Sequence, residues 1–495
     1  MIAGAPRAVL YNPVSNGSGK MVLPMSLLAL GAVLEGRYDY RIVDGNGDSN
    51  VLARLRAEIR DGASVLAVTV MPGPQLAAAL PHCRALKREF PHLAVVWGGY
   101  FPTQHAETVL AEPAIDAVVR GHGEHVFLEL LDALSSGRGC AGISGLAHRD
   151  PDGRVVDNGL ARVPHPDQLP DYPYHRLPMP QYVRPTFLGS RTLAHHASYG
   201  CPFRCNFCAV VNMVDGRWLA QSAARIARVA ERYVHEWGVN ALEFYDNNFF
   251  VHEGRTAEVA AHLTPLGLSW WGEARLDTLL QFSAATWRAM EKSGLKMVFM
   301  GAESGSASVL RRMDKGGTVS PDKTLEIAAR MKEHGIIPEF SFVLGNPPDP
   351  ETDVRETLDF VRRVKQVNPQ AEIILYHYTP VPLAGDLYGA AQAAGFEFPA
   401  TLDEWAGGQW QDFAQRYSTV MPWLSPATSR RIRNFQRVIN AYYPTATDPG
   451  LTPARRRLLR GASAWRYRTH FYRWPLELRA LHRLFRYQRP ETSGF

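Results

Sequence analysis

Cys201, Cys205 and Cys208 stand in a C-x3-C-x2-C spacing within Tyr199-Gly200-Cys201-Pro202-Phe203-Arg204-Cys205-Asn206-Phe207-Cys208. Three thiolates on one tight loop can hold three irons of a cubane cluster and leave the fourth without a protein ligand. Such an iron is open to substrate chemistry, unlike the irons of a four-cysteine electron carrier. Two other readings of these residues stay open: a structural zinc site completed by His195 or His196, and three unrelated buried thiols. Zinc knuckles usually bring two ligand pairs, and the sequence offers no second pair. Five cysteines in 495 residues are an odd, sparse set. They argue against a disulfide framework and for a reducing compartment. The stretch Met1 to Arg7 lacks the layout of a signal peptide, and no run of 18 apolar residues occurs. A cytoplasmic protein is expected.

The elements that must carry this loop follow from periodicity. A chain of 495 residues, 46% hydrophobic and 21% charged, has room for two or three globular domains. Up to about residue 140, short apolar strands (8–12, 40–43, 65–70, 93–97, 117–119) alternate with helical segments (25–35, 51–60, 75–90, 124–134). Strands without polar alternation, separated by helices, predict a parallel sheet covered on both faces. Ligands bind such sheets at the carboxyl ends of their strands, here Asn12, Asp44, Thr69-Val70-Met71, Gly98-Gly99 and Gly121. Residues 141–190 are proline-rich and read as a linker. From 191 to 400 a second strand–helix alternation predicts a full or partial parallel barrel. Residues 401–495 read as helical, aromatic and basic.

The cysteine triplet, with the aromatic Phe207 just before the last cysteine, resembles the signature of the radical S-adenosylmethionine (SAM) superfamily. The resemblance implies an enzyme in which SAM chelates the open iron of a 4Fe-4S cluster. One electron, from a donor such as flavodoxin or ferredoxin, then cleaves SAM to methionine and a 5′-deoxyadenosyl radical. It makes Cys201, Cys205 and Cys208 cluster ligands at the catalytic centre, and sets Phe207 beside SAM. Other segments match the superfamily in order. Asp246-Asn247-Asn248 falls where the methionine amino group is bound, through Asp246 and Asn247. Arg275 of Gly272-Glu273-Ala274-Arg275 could pair with the methionine carboxylate. Gly301-Ala302-Glu303-Ser304-Gly305 brings Glu303 or Ser304 near the ribose, and Gly345-Asn346-Pro347-Pro348 is similar to the turn after the fifth strand.

Residues 8 to 400 together resemble the cobalamin-binding radical SAM class, through Trp97-Gly98-Gly99-Tyr100-Phe101-Pro102-Thr103 and Arg120-Gly121-His122-Gly123-Glu124. The resemblance puts cobalamin against Asn12, Asp44, Met71, Gly98, Gly99, Gly121 and Glu124, the glycines letting a corrin approach the backbone. The motif D-x-H-x-x-G is absent, and Asn46 stands where a cobalt-ligating histidine would. Cobalamin is therefore expected without a lower imidazole; an empty domain is the alternative. His105, His122 and His125 read as ordinary loop or helix residues. The class implies methyl transfer to an unactivated carbon of a small or lipid-like substrate. Tyr378-Thr379-Pro380-Val381-Pro382, Trp405 and Pro422-Trp423 are similar to the branch of the anaerobic magnesium-protoporphyrin ester cyclases, from which this sequence departs at Ala384-Gly385-Asp386. A radical cyclase acting on a tetrapyrrole-like substrate is thus a second reading, and a non-catalytic cobalamin or iron–sulfur sensor a third. Tyr376 and His377, ending the sixth strand, face either substrate or core.

The expected architecture is α/β: an N-terminal Rossmann-like cobalamin-binding domain (1–140), a linker (141–190), a partial (β/α)6 radical SAM barrel (191–400) and a helical basic C-terminal extension (401–495). Between Arg455 and Arg489 lie eleven arginines and one acid, Glu477, so a chain of net charge +6 owes its basicity to this tail. Leu476, Leu478, Leu481, Leu484 and Phe485 are expected on one helix face, with Arg479, Arg483 and Arg486 opposite. That pattern suits either peripheral contact with the inner face of a membrane or a terminal helix packed on the barrel. No reading motif for a specific nucleic acid accompanies the charge.

Overall fold

The computed structural model describes residues 6–15, 20–315, 318–414, 421–448 and 450–485. Seven strands form the first sheet: β1 (Arg7–Asn12), β2 (Tyr40–Asp44), β3 (Ala63–Thr69), β4 (Ala94–Gly98), β5 (Ala117–Val119), β6 (Leu146–Arg149) and β7 (Val155–Asp157), in the order β2-β1-β3-β4-β5-β6-β7. The first five are parallel and buried on both faces, as their uninterrupted apolar runs require. β6 and β7 pair antiparallel at the edge. They lie in the segment expected to be a linker, so the sheet is mixed. The outer strand of this hairpin is largely exposed, and its tight turn ends in Gly153 at φ 80°. An edge hairpin this short and polar leaves no apolar run to read.

The second sheet holds β8 (Thr192–His195), β11 (Ala241–Phe244), β12 (Ser269–Ala274), β13 (Leu295–Glu303), β14 (Ile337–Leu344) and β15 (Glu372–His377), adjacent in that order and all parallel. Helices such as Ala223–Trp237, capped by Ser222 and stopped by left-handed Gly238, connect the strands. Leu188, Ala241, Trp271 and Met297 pack at the amino ends of the strands, so the barrel floor is filled with side chains. β9 (Ser198–Gly200) and β10 (Trp218–Ala220) pair antiparallel and bracket the cysteine loop. The loop therefore follows a three-residue strand, not β8 directly; an element that short has no signature in sequence.

One apolar cluster joins the whole chain. It contains Tyr11, Trp97 and Phe101 from the first sheet, Met313, Val343 and Tyr378 from the second, and Trp405, Trp410 and Phe413 from the C-terminal region. Arg84, bonded to both Glu112 and Asp403, ties the first region to the last.

The tail helices are Pro426–Tyr442, Pro453–Thr469 and Leu476–Phe485. Leu478 is buried, and Leu481 and Phe485 pack half-buried against the core. Leu476 and Leu484 are exposed, so the single apolar face expected there is split. Steps of three and four residues from Leu478 reach Leu481 and Phe485, whereas Leu476 and Leu484 share the opposite side. Arg486 and Arg489 lie outside the described residues. Among the described residues, no helix is long and apolar enough to cross a membrane.

Candidate active site

The cysteine loop leaves β9 at Gly200, whose φ is 79° and where a Cβ would collide with the Arg217 carbonyl. Only glycine suits that position. Cys205 is buried, while Cys201 and Cys208 are half-buried. The Cys208 amide donates to the Cys205 carbonyl (3.1 Å). Asn206 pins the loop to the end of helix Ala307–Arg312, its amide donating to the Met313 carbonyl (3.3 Å) and its side chain to the Arg312 carbonyl (2.6 Å). Two side chains reach the sulfurs: Arg275 Nη1 donates to Cys205 Sγ at 3.3 Å, and Asn248 Nδ2 to Cys201 Sγ at 3.8 Å. Burial pushes the Cys205 thiol pKa up, opposed by the nearby Lys315 and Arg275.

The zinc alternative needs a fourth ligand that converges with the thiolates. His195 Nε2 is bonded to Gln221 Oε1 (2.8 Å), and burial keeps His195 and His196 neutral by lowering the pKa of each to about 4. Among the described residues, no three His, Cys, Asp or Glu side chains converge on a single ion. A cubane takes one thiolate on each of three irons and needs no such convergence. The donor set, with cations at the sulfurs, fits a cubane.

The other SAM-site candidates surround this loop at the strand ends, and they separate into two groups. Asp246 is fully buried; its Oδ1 accepts from the Ala197 amide (2.6 Å), its Oδ2 has no bonded partner, and burial raises its pKa to about 6. Asn247 is exposed, and its neighbour Asn248 is the one turned to the cysteines. Arg275 lies over the Phe203 ring at 3.8 Å and is held at both ends by Asp277 (3.0 and 2.9 Å), so in this arrangement its charge is already matched. Glu303 has the left-handed φ of 64° and pairs with Lys315 Nζ at 2.7 Å. A non-glycine residue in that region is held there by its surroundings. Ser304 is buried and bonds downward to Asp353 (3.0 Å) and Thr357 (3.0 Å). Tyr376 is half-buried and His377 buried. Neighbours along a strand face opposite sides, so Tyr376 is the one reaching open space.

Three residues at this rim carry no sequence signal. Lys315 sits in a Gly-rich loop that reads as a turn. Asp353 accepts from Ser304, both amides of Gly345 and Asn346, and the Asn346 side chain, so it ties two strand-end loops together. In sequence it is one more acid in the first turn of a helix. Asn248 was one of three adjacent polar residues with nothing to single it out.

At the carboxyl edge of the first sheet, Asn12 donates to Asp44 (3.0 Å), Asp44 also accepts from Tyr182 (2.9 Å) and Asn46 (2.9 Å), and Gln75 donates to Asn12 (2.8 Å). Asn46 in turn accepts from Ser15 (2.9 Å). This network closes the edge over β1 and β2. Over β3 and β4 the edge is half-open, with Met71 exposed and Thr69, Gly98, Gly99 and Tyr100 partly so. A Cβ at Gly98 would meet Val119, one at Gly99 Thr69 and Val70, and one at Gly121 Ala161 and the Met213 carbonyl. Gly99 and Gly121 have positive φ (98° and 84°), so glycine suits the backbone at both. His105 is packed among Phe101, Phe398 and Trp405, and burial lowers its pKa to about 4. His122 packs against the Tyr199 ring (centroids 4.4 Å apart, tilted by 37°), and buried Glu124 lies beside it (3.8 Å). His125 is exposed on the helix Glu124–Ser136. The half-open edge fits a broad ligand whose lower face takes no imidazole. Glu124 and His122 instead join the first sheet to the strand leading into the cysteine loop, as does Gln104 through Asn212 (3.4 Å).

Comparison with known proteins decides between the readings of these two rims. The Radical SAM superfamily model matches residues 197–361, and the B12 binding domain model matches residues 14–131. The chain pairs a B12-binding domain with a radical SAM domain. An uncharacterized methyltransferase of Pyrococcus horikoshii is 28% identical over 346 residues, 69% of this chain and 73% of that protein. The anaerobic magnesium-protoporphyrin IX monomethyl ester cyclase of Synechocystis is 24% identical over 379 residues, 73% of this chain and 72% of its own length. The fold is that of the radical SAM methyltransferase TsrM from Kitasatospora setae, solved with cobalamin and a [4Fe-4S] cluster (TM-score 0.62, 18% identity, 79% of this chain and 75% of that one). The chain is thus an enzyme whose cofactors are SAM, a 4Fe-4S cluster and cobalamin. The radical SAM domain begins inside the region read as a barrel, and the B12-binding domain ends before β6 and β7.

Proposed function

We propose that the radical SAM domain holds its cluster on Cys201, Cys205 and Cys208 and that the enzyme transfers a methyl group to an unactivated carbon of a small or lipid-like substrate. When bound, the cluster supplies the electron that splits SAM, and cobalamin supplies the carrier for the methyl group. The observation that supports this most is the continuity of the two rims: Tyr199, two residues before Cys201, packs its ring at a tilt against His122 of the B12-binding domain. Asp246, with one buried oxygen unbonded, is poised to accept from the methionine ammonium of SAM. Glu303, held by Lys315, faces the ribose hydroxyls. Arg275 holds the Cys205 sulfur in place. Tyr376 lines the substrate side. The cleft of about 430 Å3 beside the loop, lined by Arg204, Arg311 and Arg312 together with Asp314 and Asp386, offers the approach for a flavodoxin- or ferredoxin-like donor.

Anaerobically reconstituted protein given SAM and dithionite is expected to form 5′-deoxyadenosine, and Cys205→Ala to lose both cluster colour and this product. Wild-type protein with full iron content that forms none refutes the reading. Cobalamin retention is read from the visible spectrum after gel filtration. The cyclase relative in Synechocystis favours oxidative ring closure as a second reading. Product mass separates them, since methyl transfer adds one CH2 and oxidative cyclisation does not.

A further inference from the structure

The last two helices, Pro453–Thr469 and Leu476–Phe485, present a surface that the chemistry above does not use. Trp465 is 49% exposed, Trp474 69%, Leu476 63% and Leu484 74%. Trp465 stacks on Phe471 at 5.7 Å, and Phe471 is itself exposed. Leu458, one heptad before Trp465 and so on the same helix face, is half-exposed as well. These side chains do not hang from a loose end. Arg466 is buried and donates to the carbonyls of Arg473 (2.7 Å) and Trp474 (3.0 Å) while pairing with Glu477 (2.9 Å). That clamp holds the turn between the helices and keeps Trp474 at a φ of 44°, a backbone region an indole residue rarely adopts. The turn is built to display its aromatic residues outward.

The charge on the same surface has one sign. Seven arginines between Arg455 and Arg483 are exposed. Glu477 is the single acid between residues 450 and 485, and Arg466 already neutralises it. Arg479 and Arg483 flank the strip made by Leu476, Ala480 and Leu484 at i, i+4 and i+8. Exposed tryptophans and leucines set among unpaired arginines match the boundary layer of a bilayer, where indole rings and aliphatic tips sit at acyl depth and guanidinium groups reach anionic headgroups. A second copy of the same face would bring seven like charges together. A nucleic acid would meet the arginines but leave Leu476 and Leu484 in water.

We propose that this helix pair is a docking surface for an anionic phospholipid bilayer, and that the enzyme works bound to it. The inference stands apart from the reaction assigned above, and its test needs no turnover. The full chain is mixed with vesicles of phosphatidylcholine containing phosphatidylglycerol, or of phosphatidylcholine alone, and bound protein is measured by co-sedimentation. Binding is expected only with the anionic lipid, to weaken as salt rises, and to shift tryptophan emission to the blue. The triple variant Trp474→Ser, Leu476→Ser, Leu484→Ser changes exposed side chains only; at unchanged melting temperature it is expected to bind at least about tenfold more weakly. Arg479→Glu with Arg483→Glu is expected to weaken binding likewise and to reduce the salt dependence. No binding to anionic vesicles, or equal binding by wild type and triple variant, overturns the proposal. So does an oligonucleotide that displaces the vesicles while the triple variant binds it unimpaired, or a concentration-dependent dimer that the triple variant abolishes.

Discussion

Arg275 offers the sharpest test of how the protein tunes the cysteine loop. Its guanidinium and the Asp277 carboxylate are both nearly buried (7% and 5% side-chain exposure), joined by two bonds, and Nη1 points at Cys205 Sγ. Removing Arg275 alone strands a buried carboxylate, a loss of about 3–5 kcal/mol in stability that would mask any effect on the sulfur. Replacing both partners by apolar residues, Arg275→Met with Asp277→Leu, is close to neutral for stability by the same reasoning, yet still deletes the donor to Cys205. A charge-assisted hydrogen bond is worth about 1.5–3 kcal/mol, and it is stronger to the more negative of two redox states. If about 1 kcal/mol of it distinguishes those states, the one-electron midpoint potential falls by about 40 mV in the double variant.

The assay is a redox titration of the reconstituted chain followed by electron paramagnetic resonance, with iron and sulfide content measured alongside. Arg275→Lys, which keeps the charge but lacks the planar fork, should fall between wild type and the double variant. A double variant with full iron content and an unchanged potential would show that the Arg275–Cys205 bond does nothing to the cluster. A variant that cannot retain iron while its apo form melts normally would instead make Arg275 a requirement for assembling the loop.

Gly200→Ala puts a side chain at positive φ against the Arg217 carbonyl, about 1–3 kcal/mol of strain on the residue before Cys201, and is expected to lower iron content per chain after reconstitution. Asp353→Ala removes the acceptor of five hydrogen bonds, from Ser304, Thr357, the Gly345 and Asn346 amides and the Asn346 side chain, and should cost about 3–5 kcal/mol in thermal or urea unfolding of the apo chain, against about 1 kcal/mol for Ser304→Ala. Asp246 is raised from 3.8 to about 6 by burial, so it is neutral below that pH and ionised above. SAM affinity, measured by anaerobic calorimetry, should therefore hold above pH 6 and fall by up to about tenfold per unit below it, whereas Asp246→Asn should be weak and flat. Because the folded chain binds that extra proton between about pH 4 and 6, stability should decline as pH rises through the window, and the Asn variant should lose this slope; a wild-type affinity that ignores pH from 5 to 8 refutes the assignment.

The two parallel sheets were legible because parallel strands are buried on both sides. Val65 to Val70 or Met297 to Met300 has no solvent face to admit a polar residue, and the pattern survives whatever the neighbours are. The hairpins β6–β7 and β9–β10 were not, since three- and four-residue strands at an edge impose almost no selection on side-chain type. The cysteines were legible because a cubane fixes their spacing along one loop. Lys315, Asp353 and Asn248 escaped for a different reason: each acts on a partner brought near by the fold, at sequence separations of 12, 49 and 47 residues from Glu303, Ser304 and Cys201. No local pattern encodes such a meeting.

The same distinction governs where Arg275 and Asn247 stand. A motif says that a charged or polar residue follows a strand, but the direction in which it points is set by what competes for it. Arg275 has Asp277 two residues away, and a planar guanidinium satisfied at both ends by one carboxylate has one remaining donor edge, which here meets Cys205. Asn247 and Asn248 are equivalent in composition, but successive residues leaving a strand point to opposite sides, so only one can turn to the cysteines. The binding rim is thus built in two layers. The outer layer, Asp246 and Glu303, keeps capacity to hold a ligand. The inner layer, Arg275 with Asp277 and Ser304 with Asp353, spends its hydrogen bonds on the protein and fixes where the outer layer stands. Substitution of Asp246 should therefore act first on SAM affinity, whereas replacing Glu303, which would strand the buried Lys315, or a residue of the inner layer should change both affinity and melting temperature.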